Sequence, residues 1–220
     1  MTCLFIDINS YMRRLLILTG PQGSGNHLFS KIFALHQDVY GWKTLLNTYW
    51  EGHHHEPFAK HWQNPKLLRD FDWDQSDYYV TSVSCPYFKD GVPHVPDYME
   101  FIETCYDLVD YVSVAVIGRD SNILEYQQER VRGAHTTPLF LDRLEDLMSA
   151  GVDVNFVSQE LLYLYKSVYM EKLSLELDFP IAHWDPDVDE ILKDDANRKY
   201  IKRAHEYWLD HEVHKAVRES

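Results

Sequence analysis

Apolar and polar positions along the chain keep two rhythms in turn. Residues 14–19, RLLILT, run apolar up to Gly20, the pattern of a strand buried on both faces. Residues 25–36, GNHLFSKIFALH, set Leu28, Ile32 and Leu35 on one helical face with Phe29 and Phe33 beside it. DVYGWKTL predicts a short strand or a turn, and residues 47–76 lose periodicity, predicting an irregular insertion with one short helix near Phe58–Trp62. DYYVTSVSCPYF predicts a second strand ended by Pro86, and VPDYMEFIETCYDLV a helix with its proline in the first turn. YVSVAVIGRD reads as a third strand, followed by a helix from Ser121 and another over LFLDRLEDLMSAG, closed by Gly151. VDVNFVSQ predicts a fourth strand, QELLYLYKSVYMEKLSLELDF a long amphipathic helix, and DANRKYIKRAHEYWLDHEVHKAV a terminal one. Strands alternating with helices imply βαβ units around a parallel sheet.

Composition narrows the class. A chain of 220 residues, 45% hydrophobic, suits one α/β domain over residues 1–220. No 20-residue window lacks charge, so no transmembrane helix is expected, and MTCLFIDINSYMRR puts its arginines after its apolar run, unlike a signal peptide. The expectation is a cytoplasmic protein without membrane attachment. Cys3, Cys85 and Cys105 are odd in number and lack CxxC spacing, which favours reduced thiols. The net charge of −14, without a basic stripe, argues against nucleic acid or another polyanion as partner. A small anion in one local basic pocket stays compatible with it.

The chemistry concentrates in LTGPQGSGNHLF, a strand, a glycine-rich turn and a helix. Glycines let backbone amides close around phosphate oxygens, and a helix N-terminus adds partial positive charge. Gly20 and Gly25 meet the spacing G-x-x-x-x-G-K-[ST], but Asn26 stands at the lysine position and His27 at the hydroxyl position. The usual magnesium–nucleoside-triphosphate chemistry is therefore not expected. Either the loop takes an anion by altered chemistry or it is a turn without a ligand.

GPQGSGNHLFSKIFALHQDVYG resembles the phosphosulfate-binding loop of P-loop sulfotransferases, the heparan type in particular, through Gly20, Pro21, Gln22, Ser24 and Gly25. The resemblance implies an α/β three-layer sandwich with a central parallel sheet, P-loop NTPase-like and sulfotransferase-like. It implies transfer of a sulfuryl group from 3′-phosphoadenosine-5′-phosphosulfate to a hydroxyl or amine of a small or neutral acceptor molecule. The amides of Gln22, Gly23, Ser24, Gly25, Asn26 and His27 would hold the 5′-phosphosulfate. In VAVIGRDSNILEYQQERVRG, Arg119 with Gln127 eight positions later, or Ser121, would hold the 3′-phosphate. DANRKYIKR is similar to the family's C-terminal basic segment, which adds Arg198 and Lys199. The family's loop lysine maps to Gly23 and its two threonines to Asn26 and His27. A missing cation would cost orders of magnitude in rate, and His27 is the one residue within the loop able to become cationic. The rival readings are a non-catalytic nucleotide-binding or interaction protein on the same fold and a kinase-like phosphotransferase.

YWEGHHHEPF gathers Glu51, His53, His54, His55 and Glu56, where the family places acceptor-binding segments. Glu51, Glu56 or a histidine such as His53 could act as general base. Consecutive histidines do not converge well on one ion, so no metal is expected there. After the second strand, Ser84, Cys85 and His94 are further candidates, with Cys85 read as a small buried residue. WDPDVDEILKDD is read as a solvated acidic stretch.

Overall fold

The uninterrupted apolar run becomes the middle of a sheet. The computed structural model describes residues 12–45, 56–89 and 91–193. Strand β1 (Arg14–Pro21) leads to helix α1 (Asn26–Phe33). Two 3-10 turns, Ala59–Trp62 and Pro65–Asp70, precede β2 (Tyr78–Cys85). A hairpin of β3 (Tyr87–Lys89) and β4 (Val92–His94) follows, then α2 (Tyr98–Tyr106) and β5 (Tyr111–Gly118). The chain continues through α3 (Ser121–Arg132), α4 (Thr137–Ser149), β6 (Asp153–Ser158), α5 (Gln159–Glu176) and α6 (Asp187–Ile191).

β2, β1, β5 and β6 form, in that order, a four-stranded sheet whose neighbours are all parallel. Alternate residues of β1 face opposite ways, as the two-residue strand period requires. Leu16 and Leu18 pack with α1 and α5, through Phe29, Ile32, Leu162 and Met170. Leu15 and Ile17 pack with α2 and α4, through Phe101, Ile102, Phe140 and Leu147. The sheet thus carries helices on both faces. An aromatic cluster of Phe58, Phe71, Trp73 and Tyr79 secures the second face, with Phe58 and Trp73 stacked at 5.1 Å.

The order of strands fixes where a ligand can sit. After β1 the chain crosses by α1 to β2 on one side, and after β5 it crosses by α4, on the opposite face, to β6 on the other. The carboxyl ends of β1 and β5 therefore flank the switch point where open parallel sheets bind ligands. The loop after β1 and Arg119 after β5 stand on its two sides.

Several sequence expectations change. The 38–45 stretch, expected as a short strand or a turn, is turn over 40–43 and bridges the sheet between Val39 and Tyr78. The hairpin was not expected; its strands are only three residues long, too short to show periodicity. Pro96 lies ahead of α2 rather than in it, because Asp97 is the cap and accepts from the Glu100 amide at 2.9 Å. α5 is not amphipathic in the expected way: Leu164, Val168 and Leu175 are exposed, and Lys166 breaks the helix at φ 42°. The acidic WDPDVDEILKDD is not simply solvated. It contains α6, buries Val188 and Leu192, and sets Asp185 and Asp187 on Lys43 Nζ at 2.8 and 2.7 Å. The expected terminal helix lies outside the described residues.

Candidate functional site

The turn between β1 and α1 is shaped by two left-handed residues. Gly23 has φ +87° and Gly25 φ +111°, conformations that a side chain disfavours. Gly25 is also the N-cap of α1 and brings no capping side chain. The first-turn amides of α1 therefore have neither an intrahelical acceptor nor a cap. That is the local geometry of an anion site.

α3 and the end of β5 hold this turn from outside. Gln128, 2% exposed, donates from Nε2 to Gln22 O at 2.9 Å and accepts from the Thr136 amide at 2.8 Å. In a trans peptide C=O and N–H point opposite ways, so fixing Gln22 O on α3 turns the Gly23 amide away from it. Arg119 Nη1 donates to Gly23 O and to Gln127 Oε1, both at 2.6 Å. Arg119 and Gln127, expected together on a 3′-phosphate, are bonded to each other and, through Arg119, to the loop backbone. A guanidinium at Gly23 also means that His27 is not the sole cation source near the loop. A Cβ on Gly23 would meet the Gln127 amide at 3.2–3.3 Å, so Gln127 occupies the space a side chain at this position would enter. Ser121 opens α3 and is exposed, and the Asp120 carboxylate caps α3, accepting from the Ile123 amide at 3.0 Å.

The residues at the lysine and hydroxyl positions are used internally. Asn26, 3% exposed, donates from Nδ2 to Val83 O at 3.2 Å and to Ser84 Oγ at 3.0 Å, and accepts from Ser24 Oγ at 3.2 Å. Its side chain ties the loop to β2. Both side chains are thus engaged, and the Ser24 amide donates to Pro21 O at 3.1 Å, which leaves the Asn26 amide as the one of the two that can face a ligand. Beneath them Thr19 Oγ1 donates to Val83 O at 2.8 Å and meets the Tyr98 hydroxyl at 2.6 Å.

His27 and Glu56, expected as separate catalytic candidates, are paired. His27 Nδ1 lies 2.9 Å from Glu56 Oε1, and the Glu56 side chain is 1% exposed. Ser30 Oγ lies 3.3 Å from the other carboxylate oxygen. This arrangement fixes the histidine ring, as carboxylates commonly do. Buried Glu56 is thus placed to act through His27. Lys31, on the same helix, is also buried, and burial lowers its pKa. Glu51, His53, His54, His55, Arg198 and Lys199 lie outside the described residues. Cys85 is fully buried between Leu139 O and Tyr98, and burial pushes its thiol up to about 11. His94 is on the hairpin, its ring stacked on Tyr87 at 5.5 Å.

A cleft of about 340 Å³ opens beside the loop. Gln22, Gly23 and Gln127 form one wall, the end of β2 (Ser82, Val83, Ser84) its floor, and the hairpin and the first 3-10 turn the rest. Neither His27 nor Glu56 lines it. Gln128 and this cleft were missed in the sequence. A second glutamine after Gln127 is the one signal that was available, and it carries no spacing rule.

No protein-family model matches the chain, and no curated protein matches it in sequence. Among solved structures, an unliganded sugar kinase from Janibacter sp. HTCC2649 aligns with 78% of this chain and 98% of its own, at 12% identity and a TM-score of 0.40. That likeness is too slight to bear on fold or function. Among the described residues no helix is long and apolar enough to cross a membrane.

Proposed function

We propose that the 20–27 loop holds the phosphosulfate end of 3′-phosphoadenosine-5′-phosphosulfate and that the protein moves its sulfuryl group to a small neutral acceptor in the adjoining cleft. The carrying observation is the meeting of Arg119 with Gly23 O at the sheet's switch point, beside an uncapped helix N-terminus. In the transfer, the acceptor oxygen bonds to sulfur and the bridging S–O bond breaks. The electron pair leaves with adenosine 3′,5′-bisphosphate, and the acceptor proton passes to a base. Arg119 and the loop amides would stabilise the leaving phosphate. Glu56 would orient His27 beside the leaving phosphate, and Glu51 and His53 remain base candidates for the acceptor. Gln127, Ser121, Arg198 and Lys199 remain candidates for the 3′-phosphate. Sulfuryl transfer is preferred to magnesium-dependent phosphoryl transfer because position 27 has no hydroxyl and Ser24 Oγ is committed to Asn26.

The alternative is a nucleotide-binding protein without transfer activity. Gln127 filling the space beside Gly23 favours it, since the loop carries no cation of its own there. A transfer assay separates them. The purified protein is incubated with ³⁵S-labelled donor and a panel of neutral hydroxylated acceptors. Labelled product that needs Arg119 supports the transferase. Tight donor binding with no product from any acceptor supports the binding protein.

A further inference from the structure

The cleft beside the loop has a chemical character of its own. Three glutamines reach it, Gln22, Gln63 and Gln127, together with the hydroxyls of Ser82 and Ser84. Among the described residues no carboxylate lines it, and Lys60 is the one charged side chain in the lining. Two of its polar atoms have no hydrogen-bond partner among the described residues, although their residues are nine-tenths buried or more: Gln22 Oε1 and Ser82 Oγ, in residues 9% and 6% exposed. Buried polar atoms are normally paired, so each is hydrogen-bonding capacity that a ligand or water could take up. Tyr87 and Phe88 of the hairpin add aromatic surface.

These features exclude some ligands and favour one class. A cation would find no carboxylate to neutralise it. A carboxylate or phosphate could accept from Ser82 Oγ but has no proton for Gln22 Oε1, and exposed Lys60 would pair with it only weakly. A flat apolar molecule would seal Ser82 Oγ and Gln22 Oε1 from water without pairing them. A neutral molecule rich in hydroxyls answers all three, because each hydroxyl both donates and accepts, and amide groups match that capacity. Aromatic rings can cover the apolar C–H face of a sugar-like ring. The volume is at the small end of small-molecule sites, ~300–1,000 Å³.

We infer that this cleft binds a neutral, polyhydroxylated small molecule about the size of one sugar ring, with Ser82 Oγ and Gln22 Oε1 as its buried hydrogen-bonding points. The identity of that ligand as the acceptor rests on the donor reading above; the binding itself does not.

The test uses the full chain and five probes without nucleotide: D-glucose, myo-inositol, glucuronate, glucosamine and 4-nitrophenol. Binding is followed by saturation-transfer NMR and calorimetry. At least one neutral polyol should bind saturably, with glucuronate and glucosamine at least tenfold weaker. Ser82→Ala should weaken the polyol at least fivefold and leave adenosine 3′,5′-bisphosphate affinity within twofold. The inference is overturned if neither polyol binds, if 4-nitrophenol or a charged sugar binds better, or if Ser82→Ala leaves polyol affinity unchanged. A circular-dichroism melt of Ser82→Ala matching wild type excludes unfolding as the cause. Polyol binding in a protein that does not bind the bisphosphate supports this inference and defeats the donor reading alone.

Discussion

Replacing Arg119 with glutamine removes one charge from the switch point while keeping an amide that can still donate to Gly23 O. The native guanidinium makes two bonds at 2.6 Å from a single ionised nitrogen. Hydrogen bonds to charged groups contribute about 1.5–3 kcal/mol each in favourable settings. Arg119 is only partly buried, and the glutamine restores part of one bond, so the folded state should lose about 1–2 kcal/mol. For a chain of this length that is a fall of roughly 2–8 °C in Tm. The anion should lose more than the fold does, because glutamine restores no charge: ~1.5–3 kcal/mol, or about 10–150-fold in affinity. Urea unfolding reads the first quantity and calorimetry with adenosine 3′,5′-bisphosphate the second. Arg119→Lys should fall between, since a lysine keeps the charge but loses the planar fork. A folded Arg119→Gln protein that binds the bisphosphate as tightly as wild type would refute the assignment of Arg119 to the anion site.

Other outcomes follow from the same geometry. Gly23→Lys should destabilise the loop by ~1–2 kcal/mol and weaken nucleotide binding, because φ is +87° and Gln127 fills the space; a faster transfer rate in this variant would contradict it. Asn26→Ala should cost ~1–2 kcal/mol in urea unfolding by removing the bonds that tie the loop to Val83 O and Ser84 Oγ, while Val83 O keeps its bond from Thr19, and an unchanged midpoint would show that the tie is dispensable. Burial raises the Cys85 thiol to about 11 and the Cys105 thiol to about 12, from an ordinary 9.0. The folded state then holds protons that the unfolded state releases, so stability is full below pH ~9 and falls as pH rises toward 11–12. A thiol reagent at pH 8 should label neither Cys85 nor Cys105 until denaturant is added, and rapid labelling of either in the native protein, read by peptide mapping, would contradict this burial.

The sheet was legible because β1, β2 and β5 are apolar-rich runs closed by glycine, proline or a polar turn, whereas β6, DVNFVS, mixes polar and apolar positions. Hydrophobic run length alone found 14–19, 78–85 and 111–118 nearly to the residue. The order of the strands is not written in any one run, and it is the order that brings Arg119 to Gly23. The pairing of Arg119 with Gln127 was visible only through family resemblance, and its contact with the loop carbonyl was not visible at all. Asn26 and His27 looked like failed positions of a known motif. Their real partners, Val83 with Ser84 and Glu56, are 57, 58 and 29 positions away, a separation that no spacing rule spans. The acidic 184–195 stretch misled for a related reason: Asp185 and Asp187 partner Lys43, far off in sequence, and two buried apolar residues, Val188 and Leu192, follow them.

Calorimetric titration of the wild-type protein with adenosine 3′,5′-bisphosphate, and separately with ATP, each with and without magnesium, bears most directly on the reading of the loop as a nucleotide donor site. The account predicts that the bisphosphate binds more tightly than ATP, that magnesium does not strengthen its binding, and that rising salt weakens it. ATP binding that depends on magnesium and equals or exceeds that of the bisphosphate, or no binding of either nucleotide, would contradict it.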